Sequence, residues 1–310
     1  MKDGILIVNK HKGVTSHDII YKVRRLFCTK QVGHTGTLDP LAEGFLCVLV
    51  GRAVKASEYL VEHDKRYQAV LKLGLTTDTE DISGNVLSTC DKPLPESDDV
   101  IKAALEFKGD IMQIPPMYSA LKRDGVKLAD LARKGIEIER EARPVAVYDI
   151  GVTAVNPESG EYKLDVHCSK GTYIRTLCAD IGKRLGCGGV MSSLVRTESG
   201  GFKLADSYSV EQLENMTEEQ RLACLIPTER LFDSCPVLSL SDFPAHLSHN
   251  GAELYLDRNR SDIKKSRLSP DQLREGSRLR LYDANGFYAI GDVTAYPDGL
   301  AVKTVKLFRL

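Results

Sequence analysis

The sequence holds no tryptophan, and aromatic residues make up only 6% of its 310 positions. Any stacking on a planar ligand must therefore fall to a few particular Tyr or Phe side chains. No apolar run approaches the roughly 20 residues that a membrane-spanning helix needs. The first such run, Ile5 to Val8, is also too short for a secretory signal and reads as a buried strand. No membrane association is expected, and a cytoplasmic location is. Eight cysteines are present, but no pair is spaced C-x-x-C and no His is placed to complete a zinc site. Free, mostly buried thiols in a reducing compartment are the expectation. Charge of either sign is not in excess: 42 Lys plus Arg stand against 43 Asp plus Glu.

That balance hides local imbalance. Residues 1–34 carry Lys2, Lys10, Lys12, Lys22, Arg24, Arg25 and Lys30 against Asp3 and Asp18. Residues 258–280 carry Arg258, Arg260, Lys264, Lys265, Arg267, Arg274, Arg278 and Arg280 against Asp262, Asp271 and Glu275. The acidic stretch 78–110 offsets both. Local basic faces, not net charge, decide phosphate binding, although each cluster by itself also reads as ordinary solvated surface.

A chain of this length is expected to form about two domains. Gly4 to Asn9 reads as a strand, and Ser16 as the cap of a helix with Ile19, Ile20, Val23, Leu26 and Phe27 on its apolar face. A polar loop, Gly33 to Gly44, precedes a buried strand Phe45 to Val50 and a helix from about Ala53 to Val61. Tyr67, Ala69, Leu71 and Leu73 alternate as in a half-buried strand. Ser97 is placed to cap a helix, Pro115-Pro116 forces an extended loop, and Val126 to Arg133 looks helical. Strands at 143–155 and 161–169 flank a turn, a helix follows over 172–185, and a strand lies near Ser193 to Thr197. The texture changes after Phe232. Short strands separated by Asn285-Gly286 and Asp298-Gly299 point to a small β-barrel. The expected fold is α+β: a catalytic domain over 1–232 with a long mixed, mainly antiparallel sheet, and a barrel domain over 233–310.

The segment Gly33-His34-Thr35-Gly36-Thr37-Leu38-Asp39-Pro40-Leu41-Ala42-Glu43-Gly44 sits between apolar elements and holds a lone carboxylate stiffened by Pro40. On chemistry alone Asp39 is one candidate among 43 acidic residues. The segment resembles the catalytic loop of the tRNA pseudouridine-55 synthase family, TruB, with the pattern G-H-x-G-x-L-D-P-x-A-x-G. Lys65-Arg66-Tyr67 with Leu73-Gly74, then Thr77-Asp78-Thr79 with Asp81 and Gly84, resembles the family's second motif. Pro115-Pro116-Met117-Tyr118-Ser119-Ala120-Leu121-Lys122 and Cys168-Ser169-Lys170-Gly171-Thr172-Tyr173-Ile174-Arg175 resemble its third and fourth. The final segment is similar, more weakly, to the family's RNA-binding PUA domain. One departure stands near the start, where His11 follows Lys10 in place of the family's usual Pro.

The resemblance implies isomerisation of a uridine in the T-arm of tRNA. The N1–C1′ bond breaks, the uracil turns, and C5 bonds to C1′. Nothing is oxidised, and no cofactor or metal is implied. By resemblance Asp39 is the catalytic carboxylate and Arg175 its charge partner. Tyr67 stacks on the flipped uracil, Tyr173 and Leu194 line the pocket, Lys10 supports its floor, and His34 touches the RNA loop. A monomer that needs no protein partner is expected. Three other readings stay open. A glycosidase or nucleoside hydrolase would require a second carboxylate about 5 Å from the first, for which Asp81 or Glu43 are the candidates. A pure RNA-binding or tRNA chaperone protein would need only the basic clusters and the barrel. A guide-RNA-dependent relative would carry longer appendages.

Overall fold

The computed structural model describes residues 2–61 and 63–309. Its first strand, β1 (Gly4–Lys10), buries almost every side chain, because both of its faces are covered. Leu6 and Val8 enter the main core, while Ile5 and Ile7 enter a second apolar cluster with Phe45 and Leu49 on the other side. A doubly covered strand reads as a continuous apolar run, which is why Ile5 to Val8 shows no alternation. Helix α1 (Ser16–Leu26) packs Ile19, Ile20 and Val23 inward. Thr15, not Ser16, caps it, in a reciprocal box with Asp18. The Ser16 hydroxyl instead bonds both the N–H and the carbonyl of Leu38, at 3.0 and 3.1 Å.

The loop expected from Gly33 onward begins as strand β2 (Val32–Thr35) and ends as the start of β3 (Glu43–Val50). After α2 (Ser57–Val61), strand β4 (Lys65–Leu73) shows the alternation of a strand with one wet face. A two-stranded ribbon follows, β5 (Leu75–Thr77) with β6 (Val86–Thr89). Then come α3 (Ser97–Leu105) and β7 (Gly109–Gln113). Glu96 takes the cap position of α3, and Ser97 Oγ lies 3.3 Å from the Tyr162 hydroxyl instead. The helix expected over Val126 to Arg133 is shorter. β8 (Lys122–Arg123) and β9 (Val126–Lys127) form a hairpin, and only α4 (Leu128–Ala132) is helical. Asp124 and Gly125 have φ of 50° and 82°, and two positive φ values favour the tight hairpin turn over a helix.

β10 (Arg143–Asn156) and β11 (Glu161–Cys168) lead to α5 (Ile174–Arg184), β12 (Gly189–Ser199) and β13 (Phe202–Lys203). The main sheet runs β1-β3-β12-β4-β11-β10-β7, with β2 paired to β3 and β13 to β12. Only the β3–β12 pairing is parallel, so the sheet is mixed and mainly antiparallel. α6 (Val210–Asn215) and α7 (Glu218–Ala223) close this region. The remaining elements are β14 (Val237–Ser239), α8 (Asp242–His249), β15 (Leu254–Tyr255), α9 (Arg260–Lys265), β16 (Arg278–Asp283), β17 (Gly286–Tyr296) and β18 (Gly299–Leu307). The five strands curl into a half-barrel sheet, ordered β14-β16-β17-β18-β15, around a core of its own. Phe232, Ile290, Phe308 and Ala56 form a small apolar cluster that joins the two regions.

Candidate active site

Asp39 lies in the short connection between β2 and β3, and the residues around it are anchored one by one. The Arg196 guanidinium donates to the Gly36 carbonyl at 2.7 Å. Ser16 holds Leu38 at both backbone groups. The Pro40 carbonyl accepts from Gly13 N–H at 2.8 Å, and the Asp39 carbonyl from Ala42 N–H at 3.0 Å. Two glycines are required by this packing. Gly36 has a φ of 68° with the Arg196 guanidinium beside it. Gly44 has a φ of 96°, and a Cβ there would stand 2.4 Å from the Arg196 carbonyl oxygen. A carboxylate is thus presented from a loop with little freedom.

Its partner comes from a segment far away in sequence. Arg175, near the start of α5, places Nη2 3.0 Å from Asp39 Oδ2 and Nη1 3.6 Å from Asp81 Oδ2. The same guanidinium donates to the Thr79 carbonyl at 3.0 Å and the Tyr118 carbonyl at 2.7 Å. It is nearly fully buried, whereas the Asp39 side chain is 41% exposed because one side faces the cavity. Burial pushes the Asp39 carboxyl above its ordinary value. Arg175 works against that rise, Asp81 adds to it, and Lys10 lowers it slightly.

The cavity beside Asp39 encloses about 360 Å³ and is lined by Tyr67, Tyr173, Arg175, Leu194 and Arg196 among others. The structure therefore brings together Asp39, Tyr67, Arg175, Tyr173 and Leu194, which are far apart in sequence. Burial raises the pKa of both tyrosines, so both phenols are protonated at neutral pH. A second cavity, of about 490 Å³, shares Asp39 and Arg175 with the first and is also lined by Thr15, His17, Asp81, Lys127 and Arg133.

Two expected residues stand back from the first cavity. Lys10 is wholly buried, and its Nζ donates to the carbonyls of His11 and Val14 at 3.2 and 2.8 Å. Desolvation lowers its pKa, against the pull of Glu43 and Asp39. It is not among the residues lining either cavity. It pins the loop whose family proline is replaced by His11, so an ammonium supplies rigidity there. His34 sits on β2, 3.2 Å from Thr37 Oγ1 and edge-on to His17 at 5.5 Å. Burial, helped by His17 and Arg196, lowers its pKa to about 4, so the ring is neutral.

Sequence reasoning missed two residues, Arg196 and Gln113, and gave a third, Asp81, no role in the site. Asp81 entered it as part of the second motif and as a conceivable second acid. In the fold Asp81 accepts from the Thr79 hydroxyl and the Ser83 N–H and faces Arg175 as an ion pair at 3.6 Å. Arg196 lies opposite Tyr67 in the β12–β4 register and also donates to the Phe45 carbonyl at 2.8 Å. Gln113, at the end of β7, clamps the Tyr173 peptide. Its Oε1 accepts from Tyr173 N–H at 2.8 Å and its Nε2 donates to the Tyr173 carbonyl at 3.1 Å. The one available signal was a charge interrupting an apolar strand at Arg196. Among the described residues, no group of three or more His, Cys, Asp or Glu is placed to hold a metal ion.

Two family models match the chain. One describes the TruB family pseudouridylate synthase N-terminal domain and covers residues 24–174. The other describes the tRNA pseudouridylate synthase B C-terminal domain and covers residues 175–233. The chain is 48% identical to a tRNA pseudouridine synthase B of Clostridium kluyveri, over 99% of each chain. It is 39% identical to one from Francisella tularensis, over 94% of this chain and 91% of that one. Among solved structures it is similar to a chain of a Cbf5-Nop10-Gar1 complex, with TM-score 0.68 and 26% identity, covering 98% of this chain and 84% of the other.

Proposed function

The chain belongs to the TruB family of pseudouridylate synthases and isomerises uridine in tRNA to pseudouridine; we propose that Asp39 is its catalytic carboxylate and that its target is uridine 55 of the T-loop. The observation that carries this reading is the ion pair between Asp39 and the buried Arg175, placed on the wall of a cavity that Tyr67 and Tyr173 also line. The reaction needs an ionised carboxylate in a site largely closed to water, and Arg175 offsets what burial costs that charge. Two routes start from it. In one, Asp39 attacks C1′ as the N1–C1′ bond breaks, and the uracil leaves as an anion held in the cavity. In the other, it removes the C2′ proton and the sugar passes through a glycal.

The uridine reaches the cavity by leaving its stack, at a cost of a few kcal/mol that is least in a loop already unstacked. Tyr67 stacks on the uracil, and Tyr173 and Leu194 form the walls that hold the base after its bond breaks. His34, neutral and near the rim, contacts the RNA loop, and Lys10 acts from beneath by fixing the loop at 11–14. Residues 1–232 form the catalytic domain and residues 233–310 an RNA-gripping domain of PUA type, a division supported by their separate cores. The protein works as a cytoplasmic monomer without a protein partner. No helix among the described residues is long and apolar enough to cross a membrane.

The experiment is Asp39→Asn. On an unmodified tRNA transcript the variant is expected to form no mappable pseudouridine while binding the transcript as the native protein does, because phosphate contacts carry the affinity. Turnover near the native rate would remove Asp39 from the chemistry.

A further inference from the structure

Folding sorts the basic residues near the amino end into two sets. Lys10 is buried and spends its donors on loop carbonyls, and Lys2 pairs with Glu218 at 2.6 Å. Of those left in solvent, Lys12 lies in the loop before α1, while Arg24, Arg25 and Lys30, with the half-buried Lys22, lie on α1 and just beyond it. Tyr21 lies among them with 64% of its surface exposed, on a helix whose apolar residues Ile19, Ile20 and Val23 face the core. Asp18 is the one acidic residue of α1, and its carboxylate is taken by the capping box with Thr15. The outward face is therefore cationic and carries a bare aromatic ring.

This face begins at the active site. Thr15, Ser16 and His17 line the cavity that also contains Asp39 and Arg175. Tyr21 follows His17 by one helical turn, and Arg24 and Arg25 follow Tyr21 by another. The helix has 11 residues and rises about 16 Å. That is enough to follow several phosphates of one strand, which advance about 3.4 Å each in a duplex. A ring with a sequence-tolerant face beside cations that track a backbone is the combination by which single strands are held.

We propose that the outward face of α1 is a second contact for the substrate RNA, along the strand that leads out of the cleft. Tyr21 stacks on an unpaired base, and Arg25 and Lys30 neutralise phosphates. The inference rests on the chain's acting on tRNA and adds where that tRNA is gripped outside the reacting pocket. Arg24 also donates to the Val32 carbonyl at 3.1 Å, bracing β2, and is left in place in the test.

The test compares the full chain with Tyr21→Ala and with the double variant Arg25→Glu/Lys30→Glu. Binding to whole tRNA is measured across a salt series, alongside the single-turnover rate at saturating protein and a thermal melt. The double variant is expected to bind at least tenfold more weakly at low salt. Its slope of log affinity against log salt should be shallower by about 0.7 for each phosphate of a single strand released. Tyr21→Ala is expected to lose roughly fivefold or more in affinity with the slope unchanged. Saturated rates should stay within about twofold of native for both. Folded variants with native affinity and slope would overturn the proposal, and so would a fall in the saturated rate with binding untouched. If the native protein binds tRNA but forms no pseudouridine, the functional reading falls, while the salt comparison still reports on this surface.

Discussion

Arg175 gathers partners from three segments that share nothing in sequence: Asp39 from the β2–β3 connection, Thr79 and Asp81 from the β5–β6 ribbon, and Tyr118 from the stretch after Pro115-Pro116. Replacing it with Met leaves two carboxylates facing a low-dielectric site with no cation between them. Loss of a preorganised electrostatic partner of this kind costs on the order of 10²-fold or more in rate. Arg175→Lys is also expected to be poor, since an ammonium cannot reproduce a planar fork that reaches four oxygens. The pH dependence gives a separate check. Burial raises the Asp39 pKa, and the reaction needs the ionised form. Activity is therefore present above that raised pKa and lost as pH falls through it, at a higher pH than a free Asp near 3.9 would give. Arg175 pulls the value down, so Arg175→Met should shift the acid limb of the single-turnover profile to higher pH. A limb that stays in place in a folded variant would show that Arg175 does not set the ionisation of Asp39. At this scale Asp39, Tyr67 and Arg175 were legible because they occur within motifs. Asp81 also lies within a motif, but its place beside Arg175 was not legible, and Gln113 was not legible at all, because a polar residue at a strand end declares nothing until the chain folds back on it.

The elements were most legible where one face is wet. β4 alternates and was read correctly from Tyr67 to Leu73, and the apolar positions of α1 were read at helical spacing. What failed was local chemistry at element ends. Thr15 displaced Ser16 as the cap, and Asp124-Gly125 turned an expected helix into a hairpin. β7 shows how an end comes to matter. Its last residue, Gln113, is buried and joins the Tyr173 N–H and carbonyl in two bonds, just where α5 begins and Arg175 follows. An amide does this because it offers a donor and an acceptor side by side. Gln113→Ala removes both bonds and leaves the first turn of α5 less fixed. Small misplacements of catalytic groups cost up to 10²-fold. The variant is expected to lose roughly tenfold or more in saturated single-turnover rate while its affinity for tRNA stays within about twofold of native. A proportionate fall in affinity with an unchanged saturated rate would show that Gln113 serves RNA binding instead.

The two regions of the molecule meet through an apolar cluster of Ala56, Phe232, Ile290 and Phe308, flanked by polar contacts. Lys306 pairs with Glu58 at 2.5 Å, Lys55 donates to the Leu307 carbonyl at 2.9 Å, and the Arg278 guanidinium lies 5.0 Å over the Tyr59 ring. The change of texture after Phe232 was visible in sequence, but the contact itself was not, because its residues come from segments far apart in sequence. Cutting the chain there would bare Phe232 and Tyr59 to water, so substitution on the surface is the cleaner test of the last segment. The fold also divides the basic residues of 258–280. Arg278 pairs with Asp292, Arg280 with Asp233 and Arg274 with Asp271. Arg260, Lys264 and Lys265 on α9 remain exposed. Phosphate contacts of such residues add affinity and orientation and read no sequence. Lys264→Glu/Lys265→Glu is therefore expected to weaken binding of whole tRNA at least tenfold at low salt and to flatten its salt dependence. Binding of an isolated T-arm hairpin, which on the proposed division engages residues 1–232, should change by less than about twofold. The site of modification should not move on either RNA. Two acids in the last turn of α9 oppose its dipole by about 0.3–1 kcal/mol each, so a melt is recorded to confirm that the variant is folded. The comparison of the two RNAs decides the matter. If whole tRNA and the hairpin lose affinity equally, the last segment does not grip the part of tRNA outside the T-arm.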